Sequence, residues 1–366
     1  MELRPGQDTL ARRRERLRAL LASRKLRLLV VSNPVNIFYL TGFRGSAGIA
    51  AVTHTETFLW VDPRYVLQAR EQAQGVEITE VKGNPWKAVG AWLGDRSSRA
   101  VAYEDGHLTC AAFRELRAHA SPRLRLTPAG NLVEELRYVK DADEIEQVRK
   151  AARLTSAVFE EAMALVQPGV RESDLAAEID YRMRRAGAEG AAFETIVASG
   201  PRSAWPHARA SAKLLNESEL VILDLGAIVE GYAADMARTL YLGKPEQRVR
   251  DIYSAVQEAQ KAAIESVRSG VSAGEVDRAA RKVLERRGLA GNFTHSTGHG
   301  VGLEVHERPR LGQGESQGLA VGCVLAVEPG VYLEGFGGIR LEDTILVGDK
   351  GAEILTPATK DNWFVA

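Results

Sequence analysis

Two segments of this chain, Val221-Ile-Leu-Asp-Leu-Gly226 and Val324-Leu-Ala-Val-Glu-Pro-Gly330, follow one pattern about a hundred residues apart. Each is an apolar run of the kind that forms a buried strand, and each ends in an acid with a glycine two residues later. A further acid follows each segment, in Gly231-Tyr-Ala-Ala-Asp235 and in Gly338-Ile-Arg-Leu-Glu342. The repetition predicts a domain made of two similar halves, with the acids facing each other at the seam.

The repeat extends to the residues that precede these strands. Val166-Gln-Pro-Gly-Val170 corresponds to Val267-Arg-Ser-Gly-Val271, and in each copy this turn joins two segments with helical spacing of apolar residues. A strand segment then opens at Phe193 in the first copy and at Phe293 in the second. Each half is therefore predicted to be two helices followed by strands.

The chain is long enough for more than this repeat, because its 366 residues exceed the usual limit of a single core. Residues 1–125 alternate between helix-like and strand-like runs, which predicts a smaller α/β module. Residues 121–140 carry two prolines and a glycine, which indicates a boundary with a linker over 126–140. The second domain, 141–366, opens with a capping box in which Asp141 caps a helix and Glu144 lies three positions later.

Composition excludes several classes of partner. Lys plus Arg (48) balances Asp plus Glu (48), so the overall charge gives no reason to expect nucleic acid or an anionic membrane. No apolar run reaches membrane-spanning length, and the charged first residues do not form a signal peptide. The two cysteines, Cys110 and Cys323, have no disulfide or metal-site spacing, which favours the cytoplasm.

Histidines and glycines concentrate in one stretch, Asn292-Phe-Thr-His-Ser-Thr-Gly-His-Gly-Val-Gly-Leu-Glu-Val-His-Glu307. Three of the seven histidines of the chain lie here, and they offer ligands and proton carriers. Glycines between them are expected to let the backbone pass close to a bound group. The residues concerned are His295, His299 and His306, with Gly298, Gly300 and Gly302.

The four acids of the repeat need compensating positive charge, because an unpaired carboxylate in an apolar strand is costly to bury. Arg238 and Arg340 lie near in sequence and can pair with two of the acids, which would make the cluster purely structural. Two guanidiniums do not balance four acids, however. Four carboxylates and one imidazole suit a pair of divalent ions, with Mn²⁺ favoured and Co²⁺, Zn²⁺ or Fe²⁺ as alternatives.

A pair of such ions can activate water against a carbonyl without a serine or cysteine nucleophile. The chain contains no His-Glu-x-x-His, which argues against a thermolysin-like zinc peptidase. A two-metal hydrolytic site is therefore the leading hypothesis.

At this point the motifs are recognisable. The chain resembles the pita-bread metallopeptidases, in particular the proline-specific branch with a creatinase-like N-terminal domain, and the resemblance covers nearly the whole sequence. Its motifs here are Leu223-Asp-Leu-Gly-Ala227, Gly231-Tyr-Ala-Ala-Asp-Met-Ala-Arg-Thr239, Thr297-Gly-His-Gly-Val-Gly302, Val327-Glu-Pro-Gly330 and Gly338-Ile-Arg-Leu-Glu-Asp343. The resemblance implies an α/β protein whose C-terminal pita-bread domain contains a pseudo-twofold repeat.

The resemblance also implies a role for each metal ligand. Asp224 would bind one metal through both oxygens, and Asp235 and Glu342 would bridge the two. His299 and Glu328 would complete the second metal. Glu328 would in addition carry the proton of the attacking water.

Other residues are implied to contact substrate. His306 would hydrogen-bond the scissile carbonyl, and His207 would lie on the leaving side of the bond. His295, Tyr332 and Arg340 would shape or support the pocket for proline.

The function implied is a metal-dependent exopeptidase that removes the first residue from Xaa-Pro dipeptides or short peptides. Two alternatives stay open: a methionine aminopeptidase-like enzyme, and a non-enzymatic peptide-binding protein of the same fold. Xaa-Pro dipeptidase and aminopeptidase P are not distinguished. The loop 42–48 and the segment 61–65 resemble those of small bacterial Xaa-Pro peptidases in which a partner subunit can wall the site, so a homodimer is expected.

Overall fold

A computed structural model of the protein describes residues 6–94, 100–361 and 363–365. The chain divides into two compact units, Met1–Arg137 and Tyr138–Ala366. None of the helices in the described ranges combines the length and the apolar character needed to cross a membrane.

The first unit is the predicted α/β module, built on a six-stranded sheet. Its strands are β1 (Leu28–Val31), β2 (Ile49–Thr53), β3 (Thr57–Val61), β4 (Glu77–Glu80), β5 (Ala100–Tyr103) and β6 (Arg125–Pro128), in the order β4-β3-β2-β1-β5-β6. Its helices are α1 (Gln7–Ser23), α2 (Pro34–Thr41), α3 (Val66–Gln72), α4 (Pro85–Gly94), α5 (Cys110–His119) and α6 (Leu132–Arg137). Strand β2 is antiparallel to β1 and β3, whereas β1, β5 and β6 run parallel.

The segment 126–140 is not a linker. Strand β6 pairs with β5, and Leu132, Val133 and Leu136 of α6 are buried within the first unit. Apolar side chains of a short helix thus extend this unit to Arg137, beyond the boundary at 125 that the prolines and the glycine suggest.

The second unit contains two larger sheets, with helices packed on them. Its helices are α7 (Ala142–Met163), α8 (Glu172–Arg185), α9 (Gln247–Ser266) and α10 (Ala273–Arg286). Its strands are β7 (Gly190–Ala191), β8 (Ile196–Ser199), β9 (Leu220–Leu225), β10 (Ala227–Val229), β11 (Tyr232–Ala233), β12 (Met236–Leu242), β13 (Gly298–Gly300), β14 (Glu307–Leu311), β15 (Val324–Val327), β16 (Gly330–Leu333), β17 (Gly337–Arg340), β18 (Asp343–Val347), β19 (Ala352–Ile354) and β20 (Phe364–Val365). The sheet orders are β20-β12-β9-β8 and β14-β13-β15-β18-β19, with smaller sheets β11-β10-β7 and β16-β17.

The internal repeat is confirmed by this topology. Helices α7 and α8 precede the antiparallel strands β8, β9 and β12, and α9 and α10 precede the antiparallel strands β13, β15 and β18. The capping box of α7 is also present, since the Asp141 carboxylate accepts from the Glu144 amide at 3.0 Å and the reverse contact measures 3.0 Å. The strands open later than expected, at Ile196 and Gly298. In the second copy, Phe293 packs into the core as a loop residue.

Candidate active site

Four acidic side chains converge at the seam between the two sheets of the second unit. Asp224 lies one residue before the end of β9, and Asp235 immediately precedes β12. Glu328 immediately follows β15, and Glu342 lies between β17 and β18. A backbone hydrogen bond of 3.0 Å from the Glu342 amide to the Ala237 carbonyl joins the two halves here.

The potential ligand atoms of these residues lie close together. Single oxygens of Asp224, Asp235 and Glu342 all lie within 4.8 Å of one another. A ring nitrogen of His299 forms a second group with oxygens of Glu328 and Glu342, within the same limit. The residues implied as metal ligands therefore form two overlapping groups that share Glu342, and a third group joins Asp235 and His299 to His306.

Unpartnered oxygens in the first group provide a test of whether cations fit. Asp224 Oδ1, Asp235 Oδ1 and Glu342 Oε1 are buried and have no hydrogen-bond partner among the described residues. Buried polar atoms without a partner are rare in folded proteins, because each costs the free energy of its lost hydration. Three such oxygens in one cluster fit divalent cations, which prefer carboxylate ligands.

Burial and mutual repulsion both act on these carboxyl groups. Burial, and then the negative charges of Asp224 and Glu328, raises the pKa of Asp235 well above its ordinary value. Burial, followed by the charge of Asp235, raises the pKa of Glu342 in the same way. Burial also raises the pKa of Glu328 to about 7. The cluster thus holds more negative charge than its protein surroundings compensate.

Pairing with two arginines was the structural alternative, and only one of them contacts a carboxylate of the cluster. Arg340 pairs with Asp224, in a short contact to Oδ2. Arg238 instead pairs with Asp343 at 2.8 Å and donates to the Glu342 carbonyl at 2.5 Å. Of the four acids, therefore, only Asp224 pairs with either of these arginines, and arginine pairing does not account for the cluster.

His299 is oriented to offer a lone pair to the acids. Its Nδ1 lies 3.0 Å from the Gly300 carbonyl oxygen, which can only accept, so the proton belongs on Nδ1. Its Nε2 lies 3.6 Å from Asp235 Oδ2 and 3.8 Å from Glu328 Oε1. Burial, with a smaller contribution from His306, lowers the pKa of His299 to about 4, so the imidazole is neutral at neutral pH. A neutral imidazole with a directed lone pair is the ligand form of histidine.

His295, Tyr332 and Arg340 form one hydrogen-bonded chain. Arg340 Nη1 donates to the Tyr332 hydroxyl at 2.9 Å, and that hydroxyl lies 2.9 Å from His295 Nε2. Because His295 Nδ1 faces the Ser296 carbonyl at 2.8 Å, Nε2 is the acceptor of the tyrosine proton. Burial lowers the pKa of His295 to about 4, which keeps this ring neutral. This series of hydrogen bonds ends at Asp224, which pairs with Arg340, and it therefore orients the Asp224 carboxylate.

A cavity of about 250 Å³ opens onto the acids. Its lining comprises Phe193, Glu194, Ile196, His207, Ala208, Arg209, Asp224, Asp235, His299, His306, Glu328 and Glu342. The five ligand candidates, His207 and His306 are thus brought together, whereas the chain of His295, Tyr332 and Arg340 lies outside this lining.

Two charged residues at the cavity were missed in the sequence. Glu194 and Arg209 form an exposed ion pair of 3.1 Å between their side chains. The local sequence gives no signal for them, because an exposed charge in a loop is the ordinary case. Only their proximity to Phe193 and His207, both noted in the sequence, pointed to this region.

The glycines of the histidine-rich stretch lie close to other parts of the protein. A Cβ on Gly298 would lie 1.9 Å from the Ala326 carbonyl oxygen, and one on Gly300 would lie 2.2 Å from that of Arg308. A Cβ on Gly302 would lie 2.7 Å from the Glu307 carboxylate oxygens. The expectation of close approach to a bound group is therefore corrected: these glycines let neighbouring strands and one buried carboxylate pack closely.

Known proteins share both units of the chain. Residues 146–349 match metallopeptidase family M24, and residues 13–139 match the creatinase/prolidase N-terminal domain. The Xaa-Pro dipeptidase of Pyrococcus furiosus is 34% identical over 332 residues, which cover 90% of this chain and 93% of that one.

Solved structures extend the similarity to the fold. An Xaa-Pro dipeptidase from Bacillus anthracis has a TM-score of 0.94 at 33% identity, over 97% of this chain and 100% of that chain. An X-Pro aminopeptidase from Thermotoga maritima has a TM-score of 0.86 at 34% identity, over 93% of this chain and 97% of that one. Together with the acid and histidine groups at the seam, these matches show that the chain belongs to metallopeptidase family M24, with a creatinase/prolidase domain ahead of a pita-bread domain.

Proposed function

We propose that this protein is an exopeptidase that hydrolyses the bond between an N-terminal residue and proline, in Xaa-Pro dipeptides or short peptides, with two bound divalent cations. The observation that carries the proposal is the set of three buried, unpartnered carboxylate oxygens in a cavity of about 250 Å³. A cavity of this size lies just below the usual range of small-molecule sites, which suits the end of a short peptide.

Five residues would hold the cations: Asp224, Asp235, His299, Glu328 and Glu342. When bound, the cations supply activation of water at neutral pH and polarisation of the scissile carbonyl. Asp235 and Glu342 would be shared between the two positions, since each belongs to two of the close groups of potential ligand atoms.

Glu328 would move the proton that the reaction must transfer. Its side chain is 19% exposed and lines the cavity, so it reaches both water and substrate. The proline nitrogen of the substrate has no hydrogen of its own and must gain one to leave. We assign to Glu328 the acceptance of a proton from the attacking water and its delivery to that nitrogen.

His306 and His207 would hold the substrate. His306 is exposed to the cavity, with its ring centroid 4.3 Å from that of His299, which supports a position for it beside the reacting carbonyl. We assign to His306 a hydrogen bond to the carbonyl oxygen that strengthens as charge develops there. His207 lines the same cavity and is assigned to the leaving side.

Substrate comparison tests the proposal directly. Protein stripped with chelator and then loaded with Mn²⁺ would be given Ala-Pro, Ala-Pro-Ala, Ala-Ala and a Met-Ala peptide. Release of the first residue from the proline peptides alone, dependent on the metal, is the expected result. The ratio between Ala-Pro and Ala-Pro-Ala separates a dipeptidase from an aminopeptidase. Cleavage of only the Met-Ala peptide would favour the methionine aminopeptidase alternative, and absence of any metal-dependent cleavage would favour a binding protein.

We propose Mn²⁺ as the metal, with Co²⁺, Zn²⁺ and Fe²⁺ as the ions to compare, because all accept carboxylate and imidazole ligands. Elemental analysis of protein purified without added metal tests the identity. We further propose a cytoplasmic homodimer. A light-scattering mass of about 80 kDa, twice the 39.9 kDa of the chain, supports the dimer, and a mass equal to that of one chain contradicts it.

A further inference from the structure

A buried ion pair lies beneath the loop that carries His306. Lys140 Nζ is 3.0 Å from Glu307 Oε2, and the two side chains are only 1% and 6% exposed. Lys140 lies near the start of the second unit, and Glu307 directly follows His306. Neither residue lines the cavity or belongs to the groups of potential ligand atoms.

Glu307 closes the loop from within. Strands β13 and β14 pair as far as Gly300 and Glu307, so residues 301–306 form the loop between the strand that carries His299 and the second strand. Oε1 of Glu307 accepts a hydrogen bond from the Glu304 amide at 3.1 Å. The absence of a side chain on Gly302 leaves room for this carboxylate, which a Cβ there would approach to 2.7 Å. The carboxylate therefore acts as the internal support of the loop.

Lys140 is itself fixed by the backbone before β15. Its amide donates to the Gly322 carbonyl at 3.0 Å, and a Cβ on Gly322 would lie 3.0 Å from the Lys140 carbonyl oxygen. Strand β15 begins two residues later and ends immediately before Glu328. The ion pair thus ties the loop to the strand that presents one of the candidate ligands.

Stability alone does not explain why an ion pair is buried here. Removing two charges from water costs several kcal/mol each, and a buried ion pair is often no more stabilising than apolar residues of the same volume. Its fixed geometry, by contrast, restrains the groups attached to it. Here the adjacent residue is His306, whose hydrogen bond to substrate demands accurate placement.

We infer that Lys140 is a positioning residue: through Glu307 it fixes the loop 301–306 so that His306 meets the scissile carbonyl. This inference rests on the proposed function. Because the contact through His306 strengthens in the transition state, loss of Lys140 lowers kcat with little change in KM. We expect kcat of Lys140→Met to fall about 10-fold to 100-fold, since small misplacements at a reacting centre have effects of that order.

The decisive experiment places the substitution in two backgrounds. Mn²⁺-loaded full-length protein with Lys140→Met, His306→Ala or both would be assayed on Ala-Pro and Ala-Pro-Ala. If Lys140 acts through His306, Lys140→Met lowers kcat in the wild-type background and changes it less than about twofold in the His306→Ala background. Equal losses in both backgrounds would show a general structural role, and a wild-type kcat for Lys140→Met would show no role; either result overturns the inference.

Two further variants keep the test interpretable. Lys140→Met with Glu307→Gln removes both charges of the pair, and it takes over the kinetic comparison if the single variant does not fold. A control, Lys261→Met, removes a lysine from an exposed pair with Glu265, and its kcat is expected to equal that of wild type.

Amide hydrogen exchange supplies a readout that needs no activity. Exchange at Glu304 is expected to accelerate in Lys140→Met and not in Lys261→Met, because the Glu304 amide donates to Glu307. Unchanged exchange would overturn the inference. If wild-type protein hydrolysed no Xaa-Pro peptide, the proposed function would fail, and the exchange result would still decide whether Lys140 fixes the loop.

Discussion

Asp235 illustrates how one residue can serve catalysis at the expense of stability. Its pKa is raised by burial and by the charges of Asp224 and Glu328, so the ionised side chain destabilises the metal-free fold. Asp235→Asn should therefore raise the melting temperature of chelated protein. The same change should lower metal content and reduce kcat/KM by roughly a thousandfold or more, since losing groups that only orient ligands already costs about 10–100-fold.

Elemental analysis, kinetics and thermal melts of chelated protein measure these opposite effects. Asp251→Asn is the matched control, because Asp251 lies on the exposed surface of α9, where it accepts a hydrogen bond from Gln247 at 2.9 Å. A chelated Asp235→Asn protein that melts below chelated wild type would contradict the repulsion described for the cluster.

Tyr332 belongs to the support of the site and not to the cavity lining. Tyr332→Phe removes the hydroxyl between Arg340 and His295, so the half-buried His295 Nε2 loses its donor and the buried Arg340 Nη1 keeps only its hydrogen bond to the Pro206 carbonyl. We expect a loss of about 1–3 kcal/mol in the free energy of unfolding and a roughly tenfold lower kcat, with KM nearly unchanged. Urea unfolding and steady-state kinetics test this, with exposed Tyr181→Phe as the comparison. A large rise in KM would instead place Tyr332 against the substrate.

At the scale of secondary-structure elements, sequence patterns predicted the features whose free energy depends mainly on the local sequence. An acid in an apolar strand is costly wherever the strand lies, which is why Asp224 and Glu328 were recognisable. Strand β4 and helix α6 were not predicted, because a short exposed strand or a six-residue helix depends on the neighbours it packs against. For the same reason, no sequence signal connected Lys140 with Glu307, which are close only in the folded chain.

Helix α2 is another element that the sequence pattern did not predict. The pair Asn33-Pro34 is typical of the end of a strand, and β1 does end just before it. The Asn33 side chain also caps the following helix, accepting from the Val35 amide at 3.0 Å, and Pro34 occupies its first turn. The same two residues therefore follow the strand and begin the helix, and a strand-ending pattern alone does not reveal the helix that begins there.

Where β1 and β5 end, a buried carboxyl group should make the stability of the first unit depend on pH. Burial raises the pKa of Glu104 to about 7 from 4.5, although the Ser32 and Asn33 amides donate to it at 2.6 and 2.7 Å. A raised folded-state pKa means that the carboxyl stabilises fully below about 4.5 and that this contribution is lost as pH rises through 7.

The shift corresponds to about 3 kcal/mol at most. Urea unfolding of wild type and Glu104→Gln at about pH 5 and about pH 8 isolates this contribution, because the variant cannot titrate at this position. Wild type is expected to lose up to that amount relative to the variant between the two conditions. Parallel pH dependence in both proteins would mean that Glu104 keeps an ordinary pKa.

At the scale of the whole catalytic unit, the site is divided between the two halves of the repeat. The first half contributes Asp224 and Asp235, and the second contributes His299, Glu328 and Glu342. The group of Asp224, Asp235 and Glu342 combines the two halves, and so does the group of Asp235, His299 and His306. The group of His299, Glu328 and Glu342 lies in the second half, but its His299 Nε2 is 3.6 Å from Asp235 of the first half. Cations bound at the seam would therefore stabilise the association of the halves as well as supply chemistry.

Metal removal should reveal this coupling across the seam. Amides in β9, β12, β15 and β18 that exchange only when the unit unfolds should exchange about a hundredfold more slowly for each cation site held at about 100 times its Kd. Hydrogen exchange of chelated and Mn²⁺-loaded protein measures the ratio, and Asp235→Asn is expected to lose most of it. All four strands should respond together, because the proposed sharing of Asp235 and Glu342 would give each cation ligands from both halves. Slower exchange confined to β9 and β12, or to β15 and β18, would show that the metals are held by one half, and the proposed sharing of Asp235 and Glu342 would then be wrong.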